Sequence, residues 1–221
     1  MQTGVPDLTA ITATVEIVHF AELLAHPNVT EICELRNRFG FMAFHGGNLE
    51  RGTDEIATVA AERSGASLYA VVQEHPLREH LPSSKVTPDA SPKLAAFLGH
   101  VDLVIAIHGY GREGLWTSLL LGGGNRELAV RAARHLRHAL SEFTMVDQIE
   151  HIPSELRGLH PDNPANRPRL GGVQIELPPR VRGLTPHSAG MERIDGRIKW
   201  TNDAIDAFVA VATEVALELD L

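Results

Sequence analysis

The chain has little cysteine, no long apolar run and no excess of positive charge. Cys33 is the only cysteine among 221 residues, which excludes an intrachain disulfide and a cysteine-rich zinc module. No run approaches the roughly 18 apolar residues of a membrane-spanning helix, and the N-terminal stretch lacks the basic and apolar regions of a secretory signal. We therefore expect a soluble, cytoplasmic protein without a membrane partner, with release by cell lysis as the remaining route outwards.

Positive charge is scarce, because 20 Lys and Arg residues face 28 Asp and Glu residues and the formal net charge is −8 with His neutral. Such a surface repels polyanions, which argues against nucleic acid as the main partner. A hydrophobic content of 43% and a charged content of 22% are ordinary for a globular protein. We expect one domain over residues 1–221, and the composition carries no signal for a particular oligomeric state.

Short apolar runs alternate with helical patterns along the chain, which is typical of βαβ units around a largely parallel sheet. The predicted strands cover residues 39–44, 67–73, 101–107 and 171–177. The predicted helices run from Thr53, as N-cap, to about Arg63, from Pro92, from about Asn125 to Glu142, and along the C-terminal segment. The pattern predicts an α/β fold, a three-layer sandwich with helices on both faces of a mostly parallel mixed sheet.

Three predicted strands end on side chains that bind metals or transfer protons, namely His45, His108 and Glu176. Because ligands of α/β sheets bind beyond the carboxyl ends of parallel strands, we expect these side chains to converge. Glu50 follows His45 beyond two glycines, which allow the loop to fold back. Two histidines and one carboxylate are the ligand set of a catalytic zinc site, and a second carboxylate would remain nearby.

Each of these residues alone also has a structural explanation. A single His after a strand is more often structural than a ligand in a chain with 12 histidines. Glu50 also suits the approach to a helix, and Glu176 also suits an ion pair with Arg180 or Arg182. Their joint placement favours the metal site. The other histidines are interpreted as surface or structural residues, among them His80, His135, His138 and His160.

A glycine-rich segment, LGGGNRE, precedes the predicted helix at Asn125. Backbone N–H groups in this position bind anions at a helix N-terminus. The segment lacks the Gly-Lys-Ser/Thr of a P-loop, so a nucleotide is weakly indicated. A substrate carboxylate is at least as well supported as its ligand.

Four segments, in this order along the chain, resemble the poly-γ-glutamate hydrolase family: FHGGNLERGTDEIA, VDLVIAIHGYG, LLLGGGN and NRPRLGGVQIELPPRVR. The similarity runs from about Val15 to Arg182. This family was first known from bacteriophages that degrade polyglutamate capsules. The resemblance implies a zinc-peptidase-like α/β fold, similar to metallocarboxypeptidases and the succinylglutamate desuccinylase group, and hydrolysis of a γ-glutamyl amide.

The resemblance also implies roles for individual residues. His45, Glu50 and His108 would hold Zn²⁺, and Glu176 would be the general base. Arg182 is the arginine that matches the family pattern, and we predict a catalytic role for it. Apart from the resemblance, the chemistry of an acidic amide substrate favours further polar residues for stabilising an oxyanion or binding substrate carboxylates: Arg180, Arg112, Asn125 and Arg126.

The sequence thus predicts a zinc-dependent amidohydrolase of γ-glutamyl or similar acidic amides, either small or polymeric. Two alternatives stay open. One is a zinc-dependent deacylase of a small N-acyl amino acid or an aminoacyl ester. The other is a non-catalytic protein of the same fold that binds an anion through residues 122–125. Bound zinc with a free coordination position would distinguish the enzymes from the binding protein.

Overall fold

A computed structural model describes residues 19–221. The start of the predicted domain and most of the stretch considered as a secretory signal, residues 1–18, lie outside the described residues. None of the described helices has both the length and the apolar character that crossing a membrane requires.

Seven strands form the central sheet: β1 (Val29–Glu34), β2 (Phe39–Gly47), β3 (Ser67–Gln73), β4 (Leu103–Gly109), β5 (Ser118–Leu121), β6 (Thr144–Val146) and β7 (Gly172–Leu177). Their spatial order is β1-β3-β2-β4-β7-β5-β6. Strands β3, β2, β4 and β7 are parallel, whereas β1 runs antiparallel to β3 and β5 runs antiparallel to β7. The predicted mostly parallel mixed sheet is therefore confirmed.

Five helices accompany the sheet: α1 (Phe20–Leu24), α2 (Thr53–Ser64), α3 (Pro92–His100), α4 (Arg126–Ala139) and α5 (Lys199–Leu219). A two-stranded ribbon precedes α5, made of β8 (Arg193–Ile194) and β9 (Arg197–Ile198). Helices α2, α4 and α5 share one apolar cluster with the sheet, and α1 and α3 share another. Helices thus cover both faces, as the three-layer prediction requires.

Strand β2 shows how the sequence sorts side chains between these layers. Phe39 and Phe41 belong to the cluster with α2 and α5, whereas Met42 and Phe44 belong to the cluster with α3. Successive side chains of a strand point to opposite faces, so a strand buried on both faces must be apolar throughout. This explains why the run was recognisable as a central strand.

Both histidine-containing strands extend further than predicted. β2 continues to Gly47 and β4 continues to Gly109, so His45 and His108 lie within strands rather than after them. The ladder continues because Gly46 still pairs with β3 and Gly109 still pairs with Leu177 of β7.

One helix start differs from the prediction, and another agrees with it. Gly52, with φ of 87°, is the N-cap of α2, and Thr53 is its first helical residue. The chain enters this helix through a left-handed conformation that favours glycine, so the prediction of Thr53 as N-cap was wrong. Asn125 caps α4 through a hydrogen bond from the Leu128 N–H at 2.9 Å, and the helix begins at Arg126.

Candidate metal centre

The carboxyl ends of β2, β4 and β7 bring three predicted residues together. These strands are neighbours in the sheet, and His108 and Glu176 are direct register partners on β4 and β7. His45 and His108 are each 3% exposed, and Glu176 is 4% exposed. Three polar side chains are therefore buried side by side at the carboxyl ends of these central strands.

A bulge in β2 directs His45 to this position. Strand alternation alone would send its side chain to the face that Ala43 occupies. The pairing with β3 shifts by one residue between Ala43 and Gly46, and such a shift redirects the following side chain. The ring centroid of His45 lies 4.9 Å from that of Phe44 and 5.0 Å from that of His108. The bulge thus places both imidazoles on the same side.

Glu50 lies between the two imidazoles. Its Oε1 is 3.0 Å from Nδ1 of His45, and its Oε2 is 3.3 Å from Nδ1 of His108. The Gly109 N–H donates to Oε2 at 2.9 Å, and the Glu50 N–H donates to the His45 carbonyl at 2.9 Å. The turn after β2 therefore holds the carboxylate against both strands.

Electrostatics couples this cluster tightly. Burial opposes ionisation of Glu50, but the charges and hydrogen bonds of His108 and His45 outweigh it and hold the pKa of Glu50 well below its usual range. Burial likewise disfavours protonated His108, yet Glu50 and Glu176 raise the pKa of His108. Glu50 is therefore ionised between the two imidazoles, as an anionic metal ligand has to be.

The donor set fits a zinc ion. One ligand atom from each of His45, Glu50 and His108 lies within 4.8 Å of the others. Imidazole nitrogens and a carboxylate oxygen are ligands that zinc prefers, and catalytic sites use three such protein ligands. Nε2 of His45 is 2.8 Å from the Leu81 carbonyl, the kind of contact that orients a metal-binding imidazole.

One atom of this centre has no partner. Among the described residues, Nε2 of His108 is the only buried side-chain nitrogen or oxygen without a hydrogen bond. Buried polar atoms are nearly always paired, so this nitrogen is the atom of His108 that stays available to a bound ion or ligand. The observation agrees with a metal site.

Glu176 has a different environment from Glu50. Gln174 Nε2 donates to Oε1 of Glu176 at 2.8 Å, and Asn163 Nδ2 donates to Oε1 of Gln174 at 2.7 Å. Burial raises the pKa of Glu176 to about 7, against the opposing charge of His108. A carboxyl group with this pKa exchanges protons near neutral pH.

Gln174 and Asn163 were not predicted as site residues. Gln174 had a signal in the sequence, because it is a polar residue two positions before Glu176 in an otherwise apolar strand and shares its face. Asn163 lies in an irregular segment, and no sequence pattern marked it as a site residue.

Arg182 lies behind Gly109. A Cβ atom at Gly109 would be 2.5 Å from the guanidinium, so a larger residue there would displace the arginine side chain. Burial lowers the pKa of Arg182, while Glu50 and Glu176 oppose that shift. The guanidinium donates, at 3.0 to 3.2 Å, to the backbone carbonyls of Leu177, Arg51 and Tyr110. Arg182 therefore adds positive charge to the centre while tying loops together.

The other predicted substrate-binding arginines near this edge have protein partners. The Arg180 guanidinium lies 5.5 Å from the ring centroid of Trp200, outside the cleft described below. Arg112 forms an ion pair with Glu155, whose side chain lines that cleft.

Asn125 and Arg126 lie at the opposite end of the parallel strands, near the start of β7. Strand β5 runs antiparallel to β7, so the loop that follows β5 reaches the start of β7, where the Asn125 N–H donates to the Gly172 carbonyl at 3.0 Å. Arg126 donates to the carbonyls of Leu121, Gly123 and Asp147. The structure separates both residues from the metal centre, because the predicted arrangement did not include the antiparallel direction of β5.

The metal centre opens into a cleft of about 600 Å³. Its walls come from two irregular segments, residues 76–91 and 152–170. His80 and His160, which we interpreted as surface or structural residues, both line this cleft, and the His80 ring centroid is 5.0 Å from that of His45. Both side chains are exposed, as the surface interpretation requires. Their place in the cleft had no signal in the sequence, because an irregular segment has no periodicity that would reveal which side chains face the cleft.

Comparison with known proteins agrees with this geometry. A family model described as poly-gamma-glutamate hydrolase matches residues 19–211. Among curated proteins of Bacillus subtilis (strain 168), the SPbeta prophage-derived UPF0714 protein YoqZ is 29% identical over 65% of this chain and 50% of its own length. The UPF0714 protein YndL is 27% identical over 62% of this chain and 51% of its own length. The chain thus spans about half the length of these curated relatives.

Two solved structures share the fold. A bacteriophage poly-gamma-glutamate hydrolase has a TM-score of 0.70 and 22% identity, over 85% of this chain and 89% of that one. Zinc-free YndL has a TM-score of 0.64 and 21% identity, over 88% of this chain and 92% of that one. The resemblance found in the four sequence segments is therefore confirmed, and the chain belongs to the poly-gamma-glutamate hydrolase family.

Proposed function

We propose that the chain is a zinc-dependent amidohydrolase that cleaves γ-glutamyl or closely similar acidic amides. The observation that carries this proposal is geometric. His45, Glu50 and His108 converge as a three-ligand set, and a separate carboxylate, Glu176, lies in the same cleft. A ligand set beside a free carboxylate is the arrangement that metal-assisted hydrolysis requires.

Family membership supports the substrate class. The bacteriophage relative is described as a poly-gamma-glutamate hydrolase, and the family model bears the same description. Zinc supports Lewis-acid chemistry when it is bound, since it polarises a carbonyl group and lowers the pKa of water to about 7. His45, Glu50 and His108 would hold it.

Glu176 would move the proton. We assign it the role of general base towards water and then of general acid towards the leaving nitrogen, a role typically worth ~10²–10⁴ in rate. Its Oε1 is engaged by Gln174, while Oε2 has no hydrogen bond within the described chain. Oε2 is therefore the atom that accepts the proton, and Asn163 keeps Gln174 in place.

Arg182 would act through its charge. Its guanidinium is committed to three carbonyl groups, so we assign it the electrostatic stabilisation of negative charge that develops at the centre. The same hydrogen bonds hold the ends of β4 and β7 together, which preserves the spacing of His108 and Glu176.

Two measurements test the proposal on the purified chain: its zinc content without added metal, and its hydrolysis of γ- and α-linked glutamate oligomers. We expect about one zinc per chain and turnover of the γ-linked oligomers. Faster turnover of short N-acyl amino acids would instead support the deacylase. Failure to hydrolyse either class, with or without zinc, would support the anion-binding protein.

A further inference from the structure

The cleft contains one arginine whose charge no other described group neutralises. Arg78 is exposed and lines the cleft together with the residues of the metal centre. Among the cleft-lining residues that the structure describes, it is the only arginine or lysine. Within residues 19–221 it forms no hydrogen bond or ion pair.

The acidic residues of the cleft already have partners. Glu50 is held by the two histidines of the centre, and Glu155 pairs with Arg112. Glu176 is buried and accepts a hydrogen bond from Gln174. Arg78 is therefore the cation of the cleft wall that stays available to an anionic group of a ligand.

The segment that carries Arg78 is fixed to the sheet by a buried amide. Gln73, 1% exposed at the end of β3, donates from Nε2 to the Glu79 carbonyl at 2.8 Å. Its Oε1 accepts from the Glu79 N–H at 2.8 Å. Glu79 lies between Arg78 and His80, and both of these neighbours line the cleft.

Two more side chains hold the same segment on either side. Asn48 Nδ2 donates to the Leu77 carbonyl at 2.8 Å, and Nε2 of His45 is 2.8 Å from the Leu81 carbonyl. Residues 77, 79 and 81 are thus anchored to the sheet, which leaves Arg78 between two anchored neighbours. One of the anchors, His45, is also a ligand of the proposed metal centre.

Anchoring of this kind lowers the cost of binding. A segment that is ordered before the ligand arrives loses less conformational entropy on association. A guanidinium offers two parallel N–H donors that match a carboxylate, and this pairing is both strong and geometrically selective. Arg78 therefore combines an available charge, a fixed backbone and access to the cleft.

We propose that Arg78 binds a carboxylate of the substrate and is a specificity-determining residue of the cleft. This inference rests on the proposed function and narrows it: the substrate is an amide with a free carboxylate near the scissile bond. The arginines predicted from the sequence are occupied instead with Glu155, Trp200 or backbone carbonyls.

The test compares two substrates that differ only in charge, a γ-glutamyl oligomer with free α-carboxylates and the same oligomer with α-carboxamides. Arg78→Gln should lower kcat/KM for the carboxylate form by about 10- to 100-fold, mainly through KM, since a hydrogen bond to a charged group is lost. The carboxamide form should change by less than about threefold, and Arg78→Lys should be intermediate. Arg63→Gln is the matched control, because Arg63 pairs with Asp206 on the outer helices.

An equal loss on both substrates, or no loss on the carboxylate form, would overturn the role of Arg78. Equilibrium binding of the intact carboxylate oligomer, measured by calorimetry with wild type and Arg78→Gln, separates the two proposals. Binding that depends on Arg78 without any hydrolysis refutes the hydrolase, and with it the specificity role, and keeps only the binding of a ligand carboxylate by Arg78. Hydrolysis with unchanged substrate preference in Arg78→Gln refutes the inference and keeps the hydrolase. If the wild-type chain neither binds nor hydrolyses the carboxylate oligomer, both proposals are refuted.

Discussion

Strands β2, β4 and β7 have a charged cluster at each end, and the two clusters differ in how completely they are paired. At the amino ends, Asp102 accepts from Arg38 Nε at 2.7 Å, from Arg38 NH2 at 2.8 Å and from Arg169 Nε at 2.9 Å. At the carboxyl ends, His108 keeps an unpartnered nitrogen, and burial raises the pKa of Glu176 to about 7.

The two ends of the sheet therefore have different roles: the amino-end cluster stabilises the fold, and the carboxyl-end cluster is the candidate functional site. Each oxygen of the Asp102 carboxylate accepts a hydrogen bond from an arginine. This cluster therefore joins three chain segments and has a structural role. The carboxyl-end cluster is buried, and it combines an unpaired imidazole nitrogen with a carboxyl group of raised pKa, which is typical of functional sites. We therefore expect substitutions at the carboxyl ends to affect metal content and rate, and substitutions at the amino ends to affect stability alone.

The largest effect is expected from removing a histidine of the metal centre. His108→Ala or His45→Ala leaves two protein ligands, so zinc affinity should fall by more than the roughly 10- to 100-fold that is typical of losing an outer partner. Zinc content after dialysis measures this. His135→Ala is the control, because His135 contacts Glu214 on the helical surface at 2.7 Å and should leave zinc unchanged. Stoichiometric zinc in both variants of the centre would show that the ligand assignment is wrong.

The next effect separates the two carboxylates of the carboxyl-end cluster. Glu176→Gln keeps shape but cannot take a proton, so kcat should fall by roughly 10²–10⁴ while zinc remains bound. Glu50→Gln replaces an anionic ligand with a weak neutral one, so zinc should be lost first, and excess zinc should restore part of the activity. Zinc content and single-turnover rates, measured on both variants, distinguish the ligand from the general base. A zinc-free Glu176→Gln beside an inactive Glu50→Gln that retains zinc would mean that the two roles are exchanged.

A smaller effect is expected at the anchor of the cleft wall. Gln73→Met keeps a similar length but removes both hydrogen bonds to Glu79, so KM for the carboxylate oligomer should rise by about tenfold, as expected for two modest hydrogen bonds. Zinc content and kcat should stay the same, because the metal centre is intact. Gln148→Met, at an exposed position, is the control. A fall in kcat at constant KM would show that Gln73 acts on the centre and not on the segment of Arg78.

The metal centre was predictable from the sequence, including Glu50 in the turn after β2, and the side chains of the irregular segments that wall the cleft were not. His45, His108 and Glu176 each follow a buried apolar run, and the topology of parallel sheets brings such positions together. The bulge that directs His45 left no signal, since it depends on pairing with β3. Arg78 lies in an irregular segment where side-chain direction is decided by hydrogen bonds from distant residues such as Gln73.

Strand direction explains the misplacement of the glycine-rich loop. An apolar run shows that a strand exists but not which way it runs, so the sequence did not reveal at which end of the strands the loop after β5 lies. Because β5 is antiparallel to β7, Asn125 and Arg126 lie near the start of β7, at the opposite end from the metal centre. Strands β1 and β6 were missed for a related reason: both are edge strands, and their exposed positions interrupt the apolar pattern.

The smallest effect is expected at the amino-end cluster, where Asp102 provides a pH-dependent contribution to stability. Hydrogen bonds from Arg38 and Arg169 hold the pKa of Asp102 well below its usual range, whereas in the unfolded chain it should be about 3.9. The folded state therefore favours the ionised form. Its stabilisation is complete above the unfolded pKa and is lost as the pH falls towards the folded pKa.

Asp102→Asn cannot ionise, so its free energy of unfolding should lie below that of wild type by about 1 kcal/mol at neutral pH, since both arginines are half exposed. The difference should shrink below about pH 4, where the wild-type carboxylate begins to lose its advantage. Urea titrations of both proteins at several pH values measure this. Zinc content and kcat should be identical to wild type, because Asp102 lies at the far end of β4 from His108. A loss of zinc in Asp102→Asn would show that the two clusters are coupled through the strands, and the contrast between the two ends of the sheet would then fail.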